Sequence, residues 1–142
     1  MIDLLVAWAG TFLVVFAANG LFHAGPGARF FDAELAGISS ARKLAGGSPL
    51  YPALIDMNLV LAMLIVTLRG MRPERLVRDG AEVGALLGLV ASATWNLANH
   101  AVIIGWPLMV TLVDVGWHIA LGAAGGALMG RLLARGQKSA AA

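Results

Sequence analysis

Four long apolar segments alternate with short polar connections along the chain. They cover residues 4–21, 50–68, 83–104 and 108–133. An α-helix rises about 1.5 Å per residue, so roughly 20 residues cross the hydrocarbon layer of a bilayer. A helix also satisfies its own backbone hydrogen bonds in lipid, and the alternating pattern typical of a barrel is not visible here. The pattern therefore predicts an all-α transmembrane four-helix antiparallel bundle, with residues 1–142 forming a single integral membrane domain.

The connections between these segments differ in character. Gly105, Trp106 and Pro107 form a very tight turn, which makes the third and fourth helices antiparallel neighbours. Residues 30–45 place Phe31 and Leu35 on one face, which is typical of a short helix lying in the membrane interface between helices one and two. A solvated loop with one helical turn is the alternative for that segment.

Composition agrees with a membrane location. Apolar residues make up 59% of the chain and charged residues 13%, against about 25% charged residues in soluble domains. The net charge of +2 and the scattered basic residues do not indicate nucleic-acid binding. Cysteine is absent, which excludes disulfides and thiolate sites.

The distribution of Lys and Arg predicts an orientation. The connection after the second segment and the C-terminal tail carry Arg69, Arg72, Arg75, Arg78, Arg131, Arg135 and Lys138. The opposite side carries Arg29, Arg42 and Lys43. Because cytoplasmic loops are enriched in basic residues, we expect both termini in the cytoplasm.

Polar side chains concentrate in the outer halves of the four segments. Asn96, Asn99 and His100 share one face of the third helix, and Thr111, Asp114 and His118 share one face of the fourth. Unpaired polar groups are costly in hydrocarbon, so we expect these faces to turn inward and form one polar cluster lining a pocket. The expected pocket residues are Asn19, Asp56, Asn58, Asn96, Asn99, His100, Thr111, Asp114, Trp117 and His118.

The inner halves carry small residues at every fourth position. The third helix has Gly84, Gly88 and Ser92, and the fourth has Gly122, Gly126 and Gly130. Such spacing lets membrane helices approach closely. We expect the two stripes to pack against each other within one chain; a homodimer interface is the rival use.

Asp114 and His118 are the best candidates for chemistry. An intramembrane carboxylate one turn from an imidazole can act as a base with an acid–base partner, and His100 is a second candidate partner. The equally weighted alternative is a structural role, in which hydrogen bonds of these side chains fix the packing of the helices. His100 and His118 together are also a conceivable metal or haem ligand pair, but no ligand motif supports this, and no metal or cofactor is predicted.

The stretch around the third and fourth helices resembles a known family. Trp95, Asn96, Leu97 and Asn99 are followed by Gly105-Trp106-Pro107 and then by Thr111, Asp114 and Trp117. This pattern is similar to that of a family of small bacterial membrane proteins called domain of unknown function 2177, mainly over residues 91–120. The resemblance implies four helices in a bacterial inner membrane and supplies no activity. Family members tend to have an Asp and a Trp near the end of helix one, where this chain has Asn19 and Phe22.

Three functions stay open at this level, and whether the chain is an enzyme is uncertain. The first hypothesis is a non-enzymatic protein that binds a membrane lipid or isoprenoid, or that is an accessory part of a larger membrane complex. The second is an enzyme acting on a lipid-linked substrate through Asp114 and His118. The third is a small proton- or cation-coupled transporter component in which Asp56 holds the ion.

Overall fold

The computed structural model describes residues 2–38, 50–70 and 72–140. Within these ranges the chain forms five α-helices and no strand. They are α1 (Ile2–Ala24), α2 (Ala28–Glu34), α3 (Leu50–Gly70), α4 (Leu76–Val102) and α5 (Leu108–Ala140), with a 3-10 turn at Pro73–Arg75 before α4. The prediction of an all-α fold is confirmed.

The helices extend beyond the predicted apolar segments at several ends. α1 continues past residue 21 to Ala24, α4 begins at Leu76 instead of residue 83, and α5 continues past residue 133 to Ala140. At the beginning of α4, side chains one turn apart form ion pairs that favour the helix. One such pair joins Arg78 to Glu82 at 2.9 Å. The predicted end of the third helix at residue 104 is wrong, since α4 ends at Val102.

Specific contacts define the relative direction of two pairs of long helices. Gly84 faces Gly122 and Gly88 faces His118, so α4 and α5 run antiparallel. Gly10 faces Leu132 while Gly125 faces Val15, so α1 also runs antiparallel to α5. α3 contacts both α1 and α4 and completes the set of four packed helices.

The glycine stripes form a backbone-to-backbone contact within the chain. A Cβ atom added at Gly84 would overlap the carbonyl oxygen of Gly122, and one added at Gly122 would overlap that of Gly84. The same holds for Gly126 against Gly80 and for Gly130 against Leu76. These contacts lie within one chain, and Gly80 extends the predicted stripe by one turn.

The interior and the surface have the distribution expected in lipid. The core contains small and polar positions beside apolar ones, such as Thr11, Thr67 and Asn96. Large apolar side chains are exposed on all four long helices, among them Leu5, Leu13, Leu21, Ile55, Ile65, Leu86, Val90, Leu97 and Leu112. A water-soluble helix bundle would place the apolar stripe of each helix inside.

Of the described helices, three are long and apolar enough to cross a membrane. They are Ile2–Ala24, Leu76–Ala101 and Leu108–Gln137. Within α3 the apolar stretch Ala53–Thr67 is shorter.

α2 lies against the end of α1 through one buried ring. The Phe31 side chain is buried, with its ring centroid 6.2 Å from that of Phe22 and 5.0 Å from that of His23. The helix ends at Glu34 and a turn follows through residue 37. The predicted amphipathic segment is thus helical over its first part, and residues 39–45 lie outside the described residues.

Candidate functional site

The carboxylate of Asp114, on α5, is the centre of a hydrogen-bonded network. Its Oδ2 accepts hydrogen bonds from Oγ of Ser92 at 2.8 Å and from Nδ2 of Asn96 at 2.6 Å, both on α4. Its Oδ1 lies 3.2 Å from Nε2 of His23 on α1. Three helices therefore meet at one carboxylate.

The glycine contact below the network explains why α4 comes so close to Asp114. Ser92 follows Gly84 and Gly88 at the same four-residue interval, so it lies on the face of α4 that touches α5. Asn96 is one further turn along that face, and its Nδ2 also donates to the carbonyl oxygen of Ser92 at 3.0 Å. Both side chains are buried, so their hydrogen bonds to Asp114 do not compete with water.

Both ring nitrogens of His23 face oxygen acceptors. Nδ1 lies 3.0 Å from the backbone carbonyl oxygen of Asn19, and Nε2 lies 3.2 Å from Oδ1 of Asp114. A neutral imidazole has a single N–H and can donate to only one of them. A protonated ring donates to both, and its charge is then balanced by the Asp114 carboxylate. In either state the His23 ring contacts Asp114 and joins α1 to α5.

A second carboxylate, Asp56 on α3, joins the network through Asn19. Nδ2 of Asn19 lies 3.2 Å from each oxygen of Asp56, whose residue is 1% exposed. Oδ1 of Asn19 accepts a hydrogen bond from Nε1 of Trp117 at 3.1 Å. The Trp117 ring stacks on Phe22 with centroids 4.1 Å apart. Asn19 therefore links α3 to α5 as well as α1 to α3.

His118 is held at one ring nitrogen. Its Nδ1 lies 2.8 Å from the backbone carbonyl oxygen of Asp114 and 3.4 Å from Oδ1 of the same residue. In the described part of the chain, its Nε2 has no hydrogen-bond partner. The His118 side chain is 17% exposed. The side chain of Asp114 is 15% exposed and that of His23 is 23% exposed. The network therefore reaches the protein surface at these three residues.

The structure brings together six of the ten predicted pocket residues. Asn19, Asp56, Asn96, Asp114, Trp117 and His118 share this network. Two others bond elsewhere. Asn58 is exposed and donates to the carbonyl oxygen of Leu54 on its own helix, and Thr111 accepts a hydrogen bond from Nε1 of Trp106, in the turn between α4 and α5. The side chain of Asn99 makes no hydrogen bond among the described residues, and its backbone carbonyl oxygen accepts one from the N–H of Ile103 at 2.8 Å.

The expectation that His100 joins the cluster is wrong. It is exposed, and its Nδ1 lies 3.0 Å from the backbone carbonyl oxygen of Trp106. His118 lies opposite Gly88. The 12 residues from Gly88 to His100 correspond to about 18 Å along α4. His100 and His118 are thus too far apart to bind one metal, and no group of three or more metal-ligating side chains occurs among the described residues.

Two members of the network were missed in the prediction of the pocket. His23 lies beyond the predicted end of the first helix, and Ser92 was assigned to helix packing alone. A signal for His23 was present, because Asn19 and His23 have the same four-residue spacing that grouped the polar residues of α4 and α5.

A comparison with known families covers most of the chain. The family model described as "Predicted membrane protein (DUF2177)" matches residues 4–131. The chain belongs to the DUF2177 family. The match extends from α1 into α5, well beyond the stretch around Asp114, and the chain is accordingly a membrane protein. Neither the curated proteins nor the solved structures contain a match to this DUF2177 member.

Proposed function

We propose that this DUF2177 member is a non-enzymatic protein of the bacterial inner membrane that binds a lipid or isoprenoid beside its outer polar network, alone or as an accessory part of a larger complex. In this proposal α1, α3, α4 and α5 each cross the bilayer as an antiparallel bundle, and α2 lies in the outer interface. Both termini are cytoplasmic.

The non-enzymatic part of the proposal rests on the Asp114 carboxylate, because side chains of the same chain contact both of its oxygens. A general base or nucleophile needs a lone pair directed at the substrate. Here Oδ2 of Asp114 accepts hydrogen bonds from Ser92 and Asn96, and Oδ1 contacts His23. Such an arrangement supports a structural role for Asp114, in which it fixes the relative positions of three helices.

One polar atom beside this network, Nε2 of His118, is available to a ligand. Nε2 of His118 is uncommitted in the described chain, and the side chain is partly exposed. Phe22 and Trp117 lie nearby as a stacked, half-buried pair. An imidazole nitrogen beside aromatic surface and lipid-exposed helices suits a molecule with a hydrogen-bonding headgroup and an apolar tail.

The packing below Asp56 favours binding over transport. Val60 and Met63 follow Asp56 on the same face of α3, and both are fully buried with Val15 of α1. An ion that reached Asp56 from the outer side would meet this apolar layer next. A transporter would need to open it, and in vesicles Asp56→Asn would then abolish a proton- or cation-dependent flux.

One observation favours an enzyme as the second candidate. Asp114 orients His118 through its backbone carbonyl oxygen, which leaves Nε2 on the exposed side of the ring. A histidine oriented in this way can exchange a proton with a substrate. In this alternative His118→Ala removes turnover of a lipid-linked substrate while the fold persists.

Native mass spectrometry of protein purified in mild detergent tests the proposal. We expect the wild type to retain a lipid, and His118→Ala to lose it with unchanged helical circular dichroism. His100→Ala is the matched control, because His100 lies outside the network. A wild type without bound lipid, or equal loss in both variants, would contradict binding beside His118.

A further inference from the structure

A surface cavity lies at the end of α4 opposite the Asp114 network. Its volume is about 260 Å³. It is lined by Glu74, Arg75, Leu76, Val77, Arg78 and Ala134. Two arginines at the beginning of α4 thus share a concave surface with a small residue of α5.

A third arginine precedes the lining residue Ala134 on α5, although it does not itself line the cavity. Arg131 is exposed and lies three residues before Ala134, on the same face of α5. Among the described residues it has no ion-pair partner. The carboxylate of Glu74 opposes an anion here, and those of Asp79 and Glu82 pair with Arg75 and Arg78.

The existing partners of the lining arginines are weak. Nε of Arg78 lies 2.9 Å from Glu82, with side chains that are 71% and 61% exposed. Nε of Arg75 lies 3.5 Å from Oδ1 of Asp79. The Arg78–Glu82 pair is exposed, and such pairs contribute about 1 kcal/mol or less, so a phosphate group can displace it. The Asp79 side chain is only 12% exposed, so Arg75 stays paired and shares its charge with the phosphate.

The depth of the cavity matches that of lipid headgroups. The apolar span of α4 has 26 residues. At about 1.5 Å per residue it measures about 39 Å, roughly 9 Å more than the hydrocarbon layer. With the turn at Trp106 in one interface, the beginning of α4 reaches into the headgroup layer at the other.

Small side chains continue from the cavity toward the middle of the helices. On α4, Ala81 and Ala85 follow Val77 at four-residue intervals, and on α5, Ala127 and Ala123 lead away from Ala134. All four alanines are half-buried. Their side chains are short, and both rows lie beside the glycines of the α4–α5 contact.

We propose that this cavity binds the phosphate headgroup of an anionic phospholipid, with one acyl chain along the alanine rows. Arg78 and Arg131 contact the phosphate, and Arg75 shares its charge between Asp79 and the lipid. This site is independent of the proposed outer site, since the two lie at opposite ends of α4.

Titration with defined lipids in detergent, followed by native mass spectrometry, tests this site. We expect phosphatidylglycerol to bind at least tenfold more tightly than phosphatidylcholine. The double variant Arg78→Gln, Arg131→Gln should bind phosphatidylglycerol about tenfold more weakly, which corresponds to the loss of about 1.4 kcal/mol. Because both side chains are exposed, we expect unchanged helical circular dichroism.

Two control variants separate this cavity from the rest of the basic surface. Arg29→Gln, on α2, and Arg135→Gln, one helical turn beyond Arg131 on α5, should leave phosphatidylglycerol binding unchanged. An equal loss in Arg135→Gln would indicate a diffuse basic surface and overturn the proposal. Inorganic phosphate is added in a parallel titration, and competition by it at micromolar concentration would indicate a site for a free anion instead of a lipid.

Discussion

Asn96 on α4 donates a hydrogen bond of 2.6 Å to the carboxylate of Asp114 on α5. This bond continues a regular register between the two helices. The pairs Leu76–Gly130, Gly80–Gly126, Gly84–Gly122 and Gly88–His118 are in contact, and each step of four residues on α4 matches four residues back on α5. The hydrogen bond from Ser92 to Asp114 is the next step of the same series. The glycine contact and the polar network are therefore parts of one interface.

Loss of Asn96 should weaken the fold. Asn96→Ala leaves an oxygen of Asp114 short of a donor in a buried environment. Hydrogen bonds to charged groups contribute about 1.5–3 kcal/mol, and those between membrane helices often less, so we expect a loss of about 1–2 kcal/mol. Unfolding by SDS, followed by circular dichroism, measures it. Asn99→Ala on the same helix should change stability by less than about 0.5 kcal/mol, and an equal cost in both variants would contradict the role of Asn96.

His23 and Asp114 should be energetically coupled. The pair joins α1 to α5 at 3.2 Å with both side chains largely buried. In a double-mutant cycle of His23→Gln and Asp114→Asn, we expect a coupling free energy of about 1–3 kcal/mol. The cycle of His100→Gln with Asp114→Asn is the control, and its two effects should add. Additive effects in the His23 cycle would show that the ion pair contributes nothing to stability.

The sequence allowed the prediction of the helices and of the α4–α5 contact for a clear physical reason. Long apolar runs and glycines at every fourth position are local patterns, and lipid permits few backbone structures. Gly84 and Gly122 could be paired in advance because the short turn at Gly105 fixes the register of α4 and α5. The turn contains a left-handed residue, Gly105, with φ of 84°.

It was harder to predict which residues form the site, because the depth of a residue in the membrane does not determine where its side chain points around the helix. Asn58 and Asp56 lie two residues apart in the same apolar segment, yet Asp56 is buried against Asn19 while Asn58 is exposed. Two residues correspond to about 200° around a helix, so they point in nearly opposite directions. His23 was missed because its helix extends three residues past the apolar run.

A methyl group at Gly84 should separate α4 from α5. The added Cβ would overlap the backbone of Gly122, which cannot rotate away as a side chain can. We expect Gly84→Ala to lower stability by about 1–3 kcal/mol and to weaken the network at Asp114 as well. Gly116→Ala is the matched control on α5, where nothing lies within 4 Å of the added Cβ. Thermal melting in detergent compares the stabilities of the two variants. If Gly84→Ala leaves stability unchanged, α4 and α5 are packed less closely at Gly84 than the structure indicates.

The proposed orientation can be tested by cysteine labelling, because the natural chain has no cysteine. Two exposed positions report on opposite ends of the helices: Ala33, on α2, and Gln137, near the end of α5. Gln137 also reports on the N-terminal end, since Gly136 packs against Asp3. With a membrane-impermeant maleimide on intact cells, Ala33→Cys should be labelled, and Gln137→Cys should be labelled only after lysis, because the basic side of a membrane protein stays in the cytoplasm. The reverse pattern would invert the orientation, and labelling of both before lysis would place the two ends on one side of the membrane and overturn the four-span arrangement.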